Sequence, residues 1–300
     1  MNILISCNIC KSSQSKLVKV GVYGNPDQNV YECLDCGHLF LAPLLSDEQE
    51  ESFYVNEFPA FLVKRGDFKN INPSIHFDKN AGEAHRRFSD INHLLGKDKT
   101  VLEIGSATGF FLYQLKVHVA SVTGVEPNQA YQEFAASRGI ESFATLSAAS
   151  GRKFDLIFSY YVLEHLKDPI GFLESVKALL SDHPDACIIM EIPNAKEALI
   201  SLYKSPAYDS FVWQRAHCSY FSTEVLGKVF SKLGMAAEFT PVQRYDLSNH
   251  LFWLAQGKPG GMGKYSSVIS PSLDEKYRQD LKKQWMCDSI LAVAKRPFSA

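Results

Sequence analysis

Four cysteines near the N-terminus have the spacing of a metal site. Two residues separate Cys7 from Cys10, and two separate Cys33 from Cys36. Each pair places two thiolates on one tight turn, and two such turns complete the tetrahedron that Zn²⁺ prefers. Four protein ligands leave no open coordination position, so the sequence predicts a structural Zn²⁺ site rather than a catalytic one.

A second group of residues has the composition of a ligand-binding turn. The apolar run 101–104 leads into Gly105-Ser106-Ala107-Thr108-Gly109 and then into a predicted helix. Glycine lets the backbone turn tightly and approach a ligand closely, and a helix N-terminus offers free N–H groups. The turn matches neither the G-x-G-x-x-G pattern of dinucleotide sites nor the G-K-[ST] ending of a P-loop. The sequence therefore predicts a small ligand of another kind.

Two carboxylates accompany this turn. Glu103 lies in the strand before it, and Glu126 ends the next predicted strand, immediately before Pro127. A carboxylate about 20 residues after such a turn can accept hydrogen bonds from a ribose diol. The sequence predicts this role for Glu126, with a solvated carboxylate at a strand end as the alternative.

These residues resemble the motifs of class I S-adenosylmethionine (SAM)-dependent methyltransferases. Residues 103–109 are similar to the first motif, E/D-x-G-x-G-x-G, with alanine in place of its middle glycine. Residues 154–169 match the fourth-strand pattern F-D-x-I-x-x-x-x-x-L-E-H-x-x-D-P. The resemblance implies SAM as the cofactor. It implies cofactor contacts from Glu103, Gly105, Ser106, Ala107, Gly109, Glu126, Pro127 and Tyr160.

The residues just past the fourth strand face the cofactor and the transferred methyl group in that family. The resemblance therefore implies that Tyr160 lines the active site. His165 is a second candidate for a catalytic role, and a role in capping or loop structure is its alternative.

The context of His217 resembles a family of bacterial sugar methyltransferases. Residues 214–222 are similar to that family's signature, Y-H-E-H-x-S-Y-F-S, in which the last histidine is the proposed general base. The family includes deoxysugar C-methyltransferases, which also begin with two Cys-x2-Cys pairs. The resemblance implies that His217 is the general base, because a neutral imidazole near pH 7 suits proton removal from a hydroxyl or a carbon acid.

The chain departs from that signature at three positions. The family's tyrosine, first histidine and glutamate correspond here to Gln214, Arg215 and Ala216. The chain is also shorter than those C-methyltransferases, which carry an additional C-terminal domain. Transfer to oxygen needs only one base and a positioned hydroxyl. We therefore expect a sugar O-methyltransferase, with C-methyl transfer as an alternative.

Candidate substrate contacts lie near His217 and in a later insertion. Asn249 and His250 offer hydrogen-bonding groups and Trp253 offers a flat apolar face, a combination that often holds sugars. The alternative is a helix that packs Trp253 into the core. Arg215 and Tyr220 are further candidates for acceptor binding.

The elements that must position these residues alternate between strand and helix from residue 99 onward. Strands are predicted over 99–104, 121–126, 140–144, 154–160 and 186–192, and strand 235–243 and a final strand within 284–296 follow. Repeated βα units imply a parallel sheet with helices on both faces, a Rossmann-like α/β fold that binds ligands at the carboxyl ends of its strands. Three regions follow: a zinc ribbon over 1–42, a connector with a short helix, loops and a helix at 82–95 over 43–98, and a methyltransferase domain over 99–300 with an insertion at about 246–283.

Composition and charge argue against two classes of function, nucleic-acid binding and membrane insertion. The net charge is −2, and residues 1–60 hold three lysines against eight acidic residues, a balance of 3 − 8 = −5. Phosphate binding needs the opposite sign, so we expect no nucleic-acid partner. No apolar run is long enough for a membrane span, and residues 1–6 do not resemble a signal peptide, so a cytoplasmic location is the expectation.

The sequence thus predicts SAM-dependent methyl transfer to a hydroxyl of a sugar or glycan precursor, free or nucleotide-linked. Four alternatives stay open: a sugar C-methyltransferase, an O-methyltransferase of a quinone-like small molecule, a zinc-ribbon RNA methyltransferase and a SAM-binding scaffold without catalysis.

Overall fold

The computed structural model describes residues 5–65 and 72–297 of the 300-residue chain. Residues 1–4, which contributed to the expectation about a signal peptide, lie outside this range. The β-strands in the described residues are β1 (Ser15–Lys19), β2 (Asn29–Cys33), β3 (Leu39–Ala42), β4 (Thr100–Ile104), β5 (Ser121–Val125), β6 (Glu141–Phe143), β7 (Leu156–Tyr160), β8 (Cys187–Pro193), β9 (Ser219–Tyr220), β10 (Ala236–Val242) and β11 (Ser289–Lys295). The α-helices are α1 (Asp47–Ser52), α2 (Phe58–Lys64), α3 (Pro73–Lys79), α4 (Ala81–Ile91), α5 (Phe110–Leu115), α6 (Gln129–Ser137), α7 (Pro169–Ala178), α8 (Ala198–Ser201), α9 (Pro206–Val212), α10 (Thr223–Lys232), α11 (Leu247–Gln256) and α12 (Pro271–Lys283).

A seven-stranded sheet has the order β10-β11-β8-β7-β4-β5-β6. β4 pairs in parallel with β5 and β7, β5 with β6, and β7 with β8. All five residues of β7 are buried, as expected for a strand covered on both faces. The prediction of a Rossmann-like α/β sheet is confirmed.

One strand of this sheet is reversed, which the sequence pattern did not indicate. β11 is antiparallel to both β8 and β10. Val242 at the end of β10 pairs with Ser289 at the start of β11, so the intervening helices α11 and α12 return the chain to the same end of the sheet. A single crossover helix would have carried the chain to the opposite end and produced another parallel strand.

The strand order reverses between β4 and β7. β5 and β6 extend the sheet on one side of this point, and β7 and β8 extend it on the other. The loops that leave the carboxyl ends of β4 and β7 therefore diverge and leave a crevice, which is where open α/β sheets bind ligands.

The cysteine region forms a second sheet together with a strand from the main domain. β1, β2 and β3 pair in antiparallel order, and β3 pairs with β9. Phe40 of β3 belongs to the same buried cluster as Val229 and Phe230 of α10. The cysteine region and the main domain therefore share both a sheet and a hydrophobic core.

The connector is more helical than the sequence indicated. Residues 47–64 form α1, a π-helical turn over Phe53–Glu57, and α2, without a break, where the sequence predicted a short helix and loops. The aromatic rings of Phe53, Tyr54, Phe58 and Phe61 pack together within this segment. The helix predicted at 82–95 is present as α4, which ends at Ile91 in a short 3₁₀ turn.

The described residues contain no helix that is both long enough and apolar enough to cross a membrane.

Candidate active site

The turn after β4 has the backbone conformation that its glycines allow. Gly105 and Gly109 have φ angles of +76° and +72°, and Ala107 between them has +47°. Glycine adopts such left-handed angles freely, whereas a residue with a side chain does so at a cost of roughly 1–3 kcal/mol. Ala107 therefore takes the conformation expected of the glycine that it replaces. A Cβ atom at Gly105 would lie 2.6 Å from Cγ2 of Val162, so this position has no room for a side chain.

Glu126 connects this turn to β5. Its Oε2 accepts a hydrogen bond from the backbone N–H of Ala107 at 2.9 Å, and its Oε1 accepts one from Asn128 at 2.8 Å. Burial raises the pKa of Glu126, although these two hydrogen bonds act in the opposite direction. Each carboxylate oxygen keeps a further lone pair, so the group can also accept hydrogen bonds from a diol.

Glu103 is fully buried beside Arg87 of α4. The guanidinium Nη1 lies 3.6 Å from Oε1 of Glu103, and Oε2 has no hydrogen-bond partner among the described residues. Burial raises the pKa of Glu103 to about 8, although Arg87 lowers it. An additional cationic group here, such as an amino group, would stabilise the ionised carboxylate.

The segment after β7 brings Glu164 and His165 to His217. One ligating atom from each of these three residues lies within 4.8 Å of the other two. The two imidazole rings stand edge to face with their centroids 4.8 Å apart. The structure therefore brings together the two histidines that the sequence singled out, although Ala216, the residue before His217, lies 51 positions after His165 in the chain. It also adds Glu164 to them.

Burial keeps this cluster uncharged near neutral pH. It lowers the pKa of His165 to about 4 and that of His217 well below its usual value, and the charge of Arg65 lowers both further. Burial also raises the pKa of Glu164 to about 8. Its Oε2 has no hydrogen-bond partner among the described residues.

A small cavity, with room for about one water molecule, adjoins His165. The connector forms one wall through Phe53 and Tyr54, and the Tyr54 hydroxyl lies 3.5 Å from Nδ1 of His165. Arg215 lines the same side as Phe53, since its Nη1 contacts Glu57 at 2.8 Å and its guanidinium lies 4.1 Å from the Phe53 ring centre. The cavity must widen before an acceptor molecule can enter it beside His165.

Tyr160 and Tyr220 lie in the core rather than at this cavity. The ring of Tyr160 packs beneath the Arg87 guanidinium at 4.0 Å and against Phe111. The Tyr220 hydroxyl accepts a hydrogen bond from the backbone N–H of Gln214 at 2.8 Å, and its ring packs on a neighbouring tryptophan. Tyr220 thus helps to shape the loop that carries His217.

The three candidates on α11 lie away from the histidine pair. Trp253 is 4% exposed and its ring contacts Tyr208 and Phe211, so it packs into the core, as in the alternative named above. Nδ1 of His250 lies 2.5 Å from the hydroxyl of Tyr277 on α12, and Asn249 is also buried. The burial of Trp253 weakens its predicted role as a platform for a sugar ring.

The four cysteines predicted as metal ligands lie together. Cys7 Sγ is 3.6 Å from Cys36 Sγ, and Cys10 Sγ is 3.4 Å from Cys33 Sγ. Tetrahedral zinc–thiolate bonds would place sulfur atoms about 3.8 Å apart, so small shifts would accommodate the ion. Burial raises the pKa of Cys7 to about 11, which leaves this thiol protonated unless a cation binds. The arrangement fits Zn²⁺.

Sequence reasoning missed Arg87, Tyr54 and Glu164 as site residues. Glu164 stands inside the L-E-H pattern, so that pattern could have indicated it. Arg87 and Tyr54 belong to helices that reach the site only through tertiary packing, and nothing in their local sequence marks them.

A family model described as a methyltransferase domain matches residues 76–238, more than half of the chain. The chain belongs to this methyltransferase family. The match includes the turn after β4, Glu126 and the histidine pair. The chain therefore has a SAM-dependent methyltransferase domain with the class I fold.

Individual relatives of this methyltransferase differ in their acceptors. The chain is 28% identical over 165 residues to the ubiquinone biosynthesis O-methyltransferase of Haemophilus ducreyi. These residues make up 49% of the chain and 65% of that relative. It is 32% identical over 110 residues to a tRNA U34 carboxymethyltransferase of Pseudoalteromonas translucida, 32% of each protein. The chain therefore spans less than two thirds of either relative. A crystal structure of a SAM-dependent methyltransferase from Archaeoglobus fulgidus is 16% identical, covers 80% of the chain and all of that protein, and has a TM-score of 0.49.

Proposed function

We propose that this methyltransferase transfers the methyl group of SAM to a hydroxyl of a sugar or small glycan precursor, including a nucleotide-linked sugar. The observation that carries the proposal is His217, whose ring burial keeps neutral and which stands edge to face with His165 in the segment after β7. The similarity of residues 214–222 to the signature of sugar methyltransferases supports the acceptor class.

In this proposal the turn after β4 holds the cofactor. SAM supplies a methyl group on a sulfonium, which is reactive enough that the protein chiefly orients the two reactants. The backbone of Gly105, Ser106, Ala107 and Gly109 would approach the cofactor closely. Glu126, followed by Pro127, would accept hydrogen bonds from its ribose, and Glu103 would face its amino group.

His217 would remove the proton of the acceptor hydroxyl. As the oxygen attacks the methyl carbon, the carbon–sulfur bond breaks, S-adenosylhomocysteine leaves and the proton passes to the imidazole. A neutral imidazole can accept this proton over the whole physiological pH range, although its low pKa makes it a weak base. Arg215, at the cavity wall, would contact the acceptor.

We propose that the four cysteines bind structural Zn²⁺. The ion would order the turn before β1 and the turn between β2 and β3, and hence β3, whose Leu41 N–H donates a hydrogen bond to the carbonyl of Cys218 at 3.0 Å. Cys218 is the neighbour of His217 in the chain. The zinc site would thereby stabilise the loop that holds the proposed base.

A small aromatic hydroxyl is the second candidate acceptor. The ubiquinone biosynthesis relative favours it, and the rings of Phe53 and Tyr54 at the cavity would suit an aromatic molecule. The acidic N-terminal sixty residues argue against RNA, despite the tRNA-modifying relative.

The acceptor class can be tested with SAM labelled in its methyl group. The protein would be incubated with nucleotide sugars, glycans, quinone precursors and RNA, and the label in each product would be measured. We expect label in a nucleotide sugar or glycan. Label that appears only in a quinone precursor or in RNA would overturn the sugar proposal and select the corresponding alternative.

A further inference from the structure

The cluster of Glu164, His165 and His217 has the composition of a metal site that is separate from the four cysteines. Two imidazoles and one carboxylate are the ligands that Zn²⁺, Co²⁺ and Ni²⁺ accept readily. The three ligating atoms lie within 4.8 Å of one another, whereas tetrahedral bonds of about 2.0–2.2 Å to a common cation would place them about 3.3–3.6 Å apart, so cation binding would draw the three side chains together.

Glu164 provides a second observation that points to a cation. The residue is 2% exposed, and its Oε2 has no hydrogen-bond partner among the described residues. A buried carboxylate oxygen without a hydrogen-bond partner is unfavourable, and a bound cation would give it one.

The hydrogen bonding of His165 prepares it as a ligand. Its Nδ1 lies 2.8 Å from the carbonyl oxygen of Ala216, and a carbonyl can only accept, so the proton of the neutral ring is on Nδ1. The lone pair is therefore on Nε2. Histidines that bind metals generally donate their other N–H to such an acceptor, which holds the ring in orientation.

We propose that Glu164, His165 and His217 bind a divalent transition-metal cation of the Zn²⁺ class. Three protein ligands leave at least one coordination position open, in contrast to the closed site of the four cysteines. That position would take a water molecule, for which the cavity beside His165 has room.

The consequence for methyl transfer rests on the proposed function. An imidazole whose lone pair binds a cation cannot accept a proton, so cation binding and the proposed role of His217 as a base exclude each other. Occupation of this site would therefore inhibit methyl transfer, and the cation would regulate the enzyme.

Titration with Co²⁺ tests the site without any acceptor. The protein is first loaded with one equivalent of Zn²⁺, which the cysteines retain, and Co²⁺ is then added under equilibrium dialysis. We expect one further equivalent of Co²⁺ to bind, with visible d–d absorption and without the intense near-ultraviolet thiolate-to-metal bands. Failure of the wild-type protein to bind this second equivalent would overturn the proposal.

Variants assign the bound Co²⁺ to the cluster. Glu164→Gln and His165→Gln should each weaken its binding at least tenfold, while His85→Gln, which changes an exposed histidine on α4, should leave it unaltered. Circular dichroism and SAM binding report whether each variant is folded. Wild-type affinity in both folded cluster variants would overturn the proposal. Because this readout requires no methyl transfer, it is independent of whether the acceptor is a sugar.

Discussion

His217 combines a neutral ring with a position edge to face with His165. Replacement by alanine removes the proposed base, so the single-turnover rate of methyl transfer should fall by about 10²–10⁴-fold. SAM binding should not change, because the residues proposed to hold the cofactor lie on other loops. The matched control is His85→Ala, at an exposed position on α4. A His217→Ala rate equal to that of this control would rule out the base assignment.

Glu197 lies outside the site and tests whether burial keeps a carboxyl group of this protein protonated near neutral pH. It is 3% exposed, and burial raises its pKa from 4.5 to about 8. Between these values the folded chain holds a proton that the unfolded chain has lost, so each pH unit lowers the free energy of unfolding by about 1.4 kcal/mol. The protonated carboxyl of Glu197 therefore contributes its full stabilisation below pH 4.5, the pKa in the unfolded chain. This contribution is lost as the pH rises through about 8, the pKa in the folded chain.

Glu197→Gln should therefore lose less stability than the wild-type protein between about pH 5 and pH 8. Urea denaturation at both pH values measures the difference, and the buried Glu103 and Glu164 keep part of the pH dependence in both proteins. Equal losses in the two proteins would show that Glu197 is not protonated in the folded state.

At the scale of single residues, the sequence predicted those residues whose role follows from their immediate neighbours in the chain. The cysteine spacing, Glu126 and the two histidines follow from motifs of adjacent residues. The ion pair of Glu103 with Arg87 and the approach of Tyr54 to His165 depend on packing between distant segments. No local pattern contains that information.

The turn after β4 is the element on which the proposed cofactor site depends. Gly105→Ala would place a side chain at φ +76° and a Cβ atom 2.6 Å from Val162. The variant should be destabilised by roughly 1–3 kcal/mol or more, because both the backbone angle and the contact are unfavourable. Thermal unfolding measures the loss.

Gly82→Ala is the matched control for this turn. Gly82 lies in α4, where an added Cβ atom would meet no heavy atom within 4 Å, so alanine should raise the free energy of unfolding by about 0.4–1 kcal/mol. If Gly105→Ala were as stable as Gly82→Ala, the geometry described for the cofactor turn would be wrong.

At the scale of elements, the alternation of apolar strands and amphipathic helices was sufficient to predict the parallel part of the sheet. Several features were not predicted, and for three of them the reason is physical. β9 has only two residues, too few for any periodicity. The direction of β11 depends on where α11 and α12 return the chain, and the continuous helical segment 47–64 includes a π-helical turn that interrupts the usual helical spacing.

The cysteine region joins the methyltransferase domain where β3 pairs with β9. Cys10→Ser should abolish tight zinc binding, because the remaining three thiolates provide an incomplete tetrahedron. Metal analysis should show less than one equivalent of zinc, and Tm should fall by roughly 2–4 °C for each kcal/mol of lost stability. Methyl transfer should weaken as well, because β3 borders the loop that carries His217.

The control for this change is Leu34→Ser, which alters an exposed residue next to Cys33 and keeps all four thiols. It should retain zinc and the wild-type Tm. Full zinc occupancy in Cys10→Ser would contradict the assignment of the four cysteines as its ligands.

The proposed roles of the other site residues all require SAM to bind between the turn after β4 and Glu126. Isothermal titration calorimetry with SAM measures this binding. We expect one SAM per chain, and affinity lower by roughly 10–100-fold in Glu126→Ala, which loses charge-assisted hydrogen bonds to the ribose. Glu141→Ala, at an exposed carboxylate on the neighbouring strand β6, should bind as the wild-type protein does. Absence of SAM binding to the wild-type protein, or equal affinity in Glu126→Ala, would contradict this account.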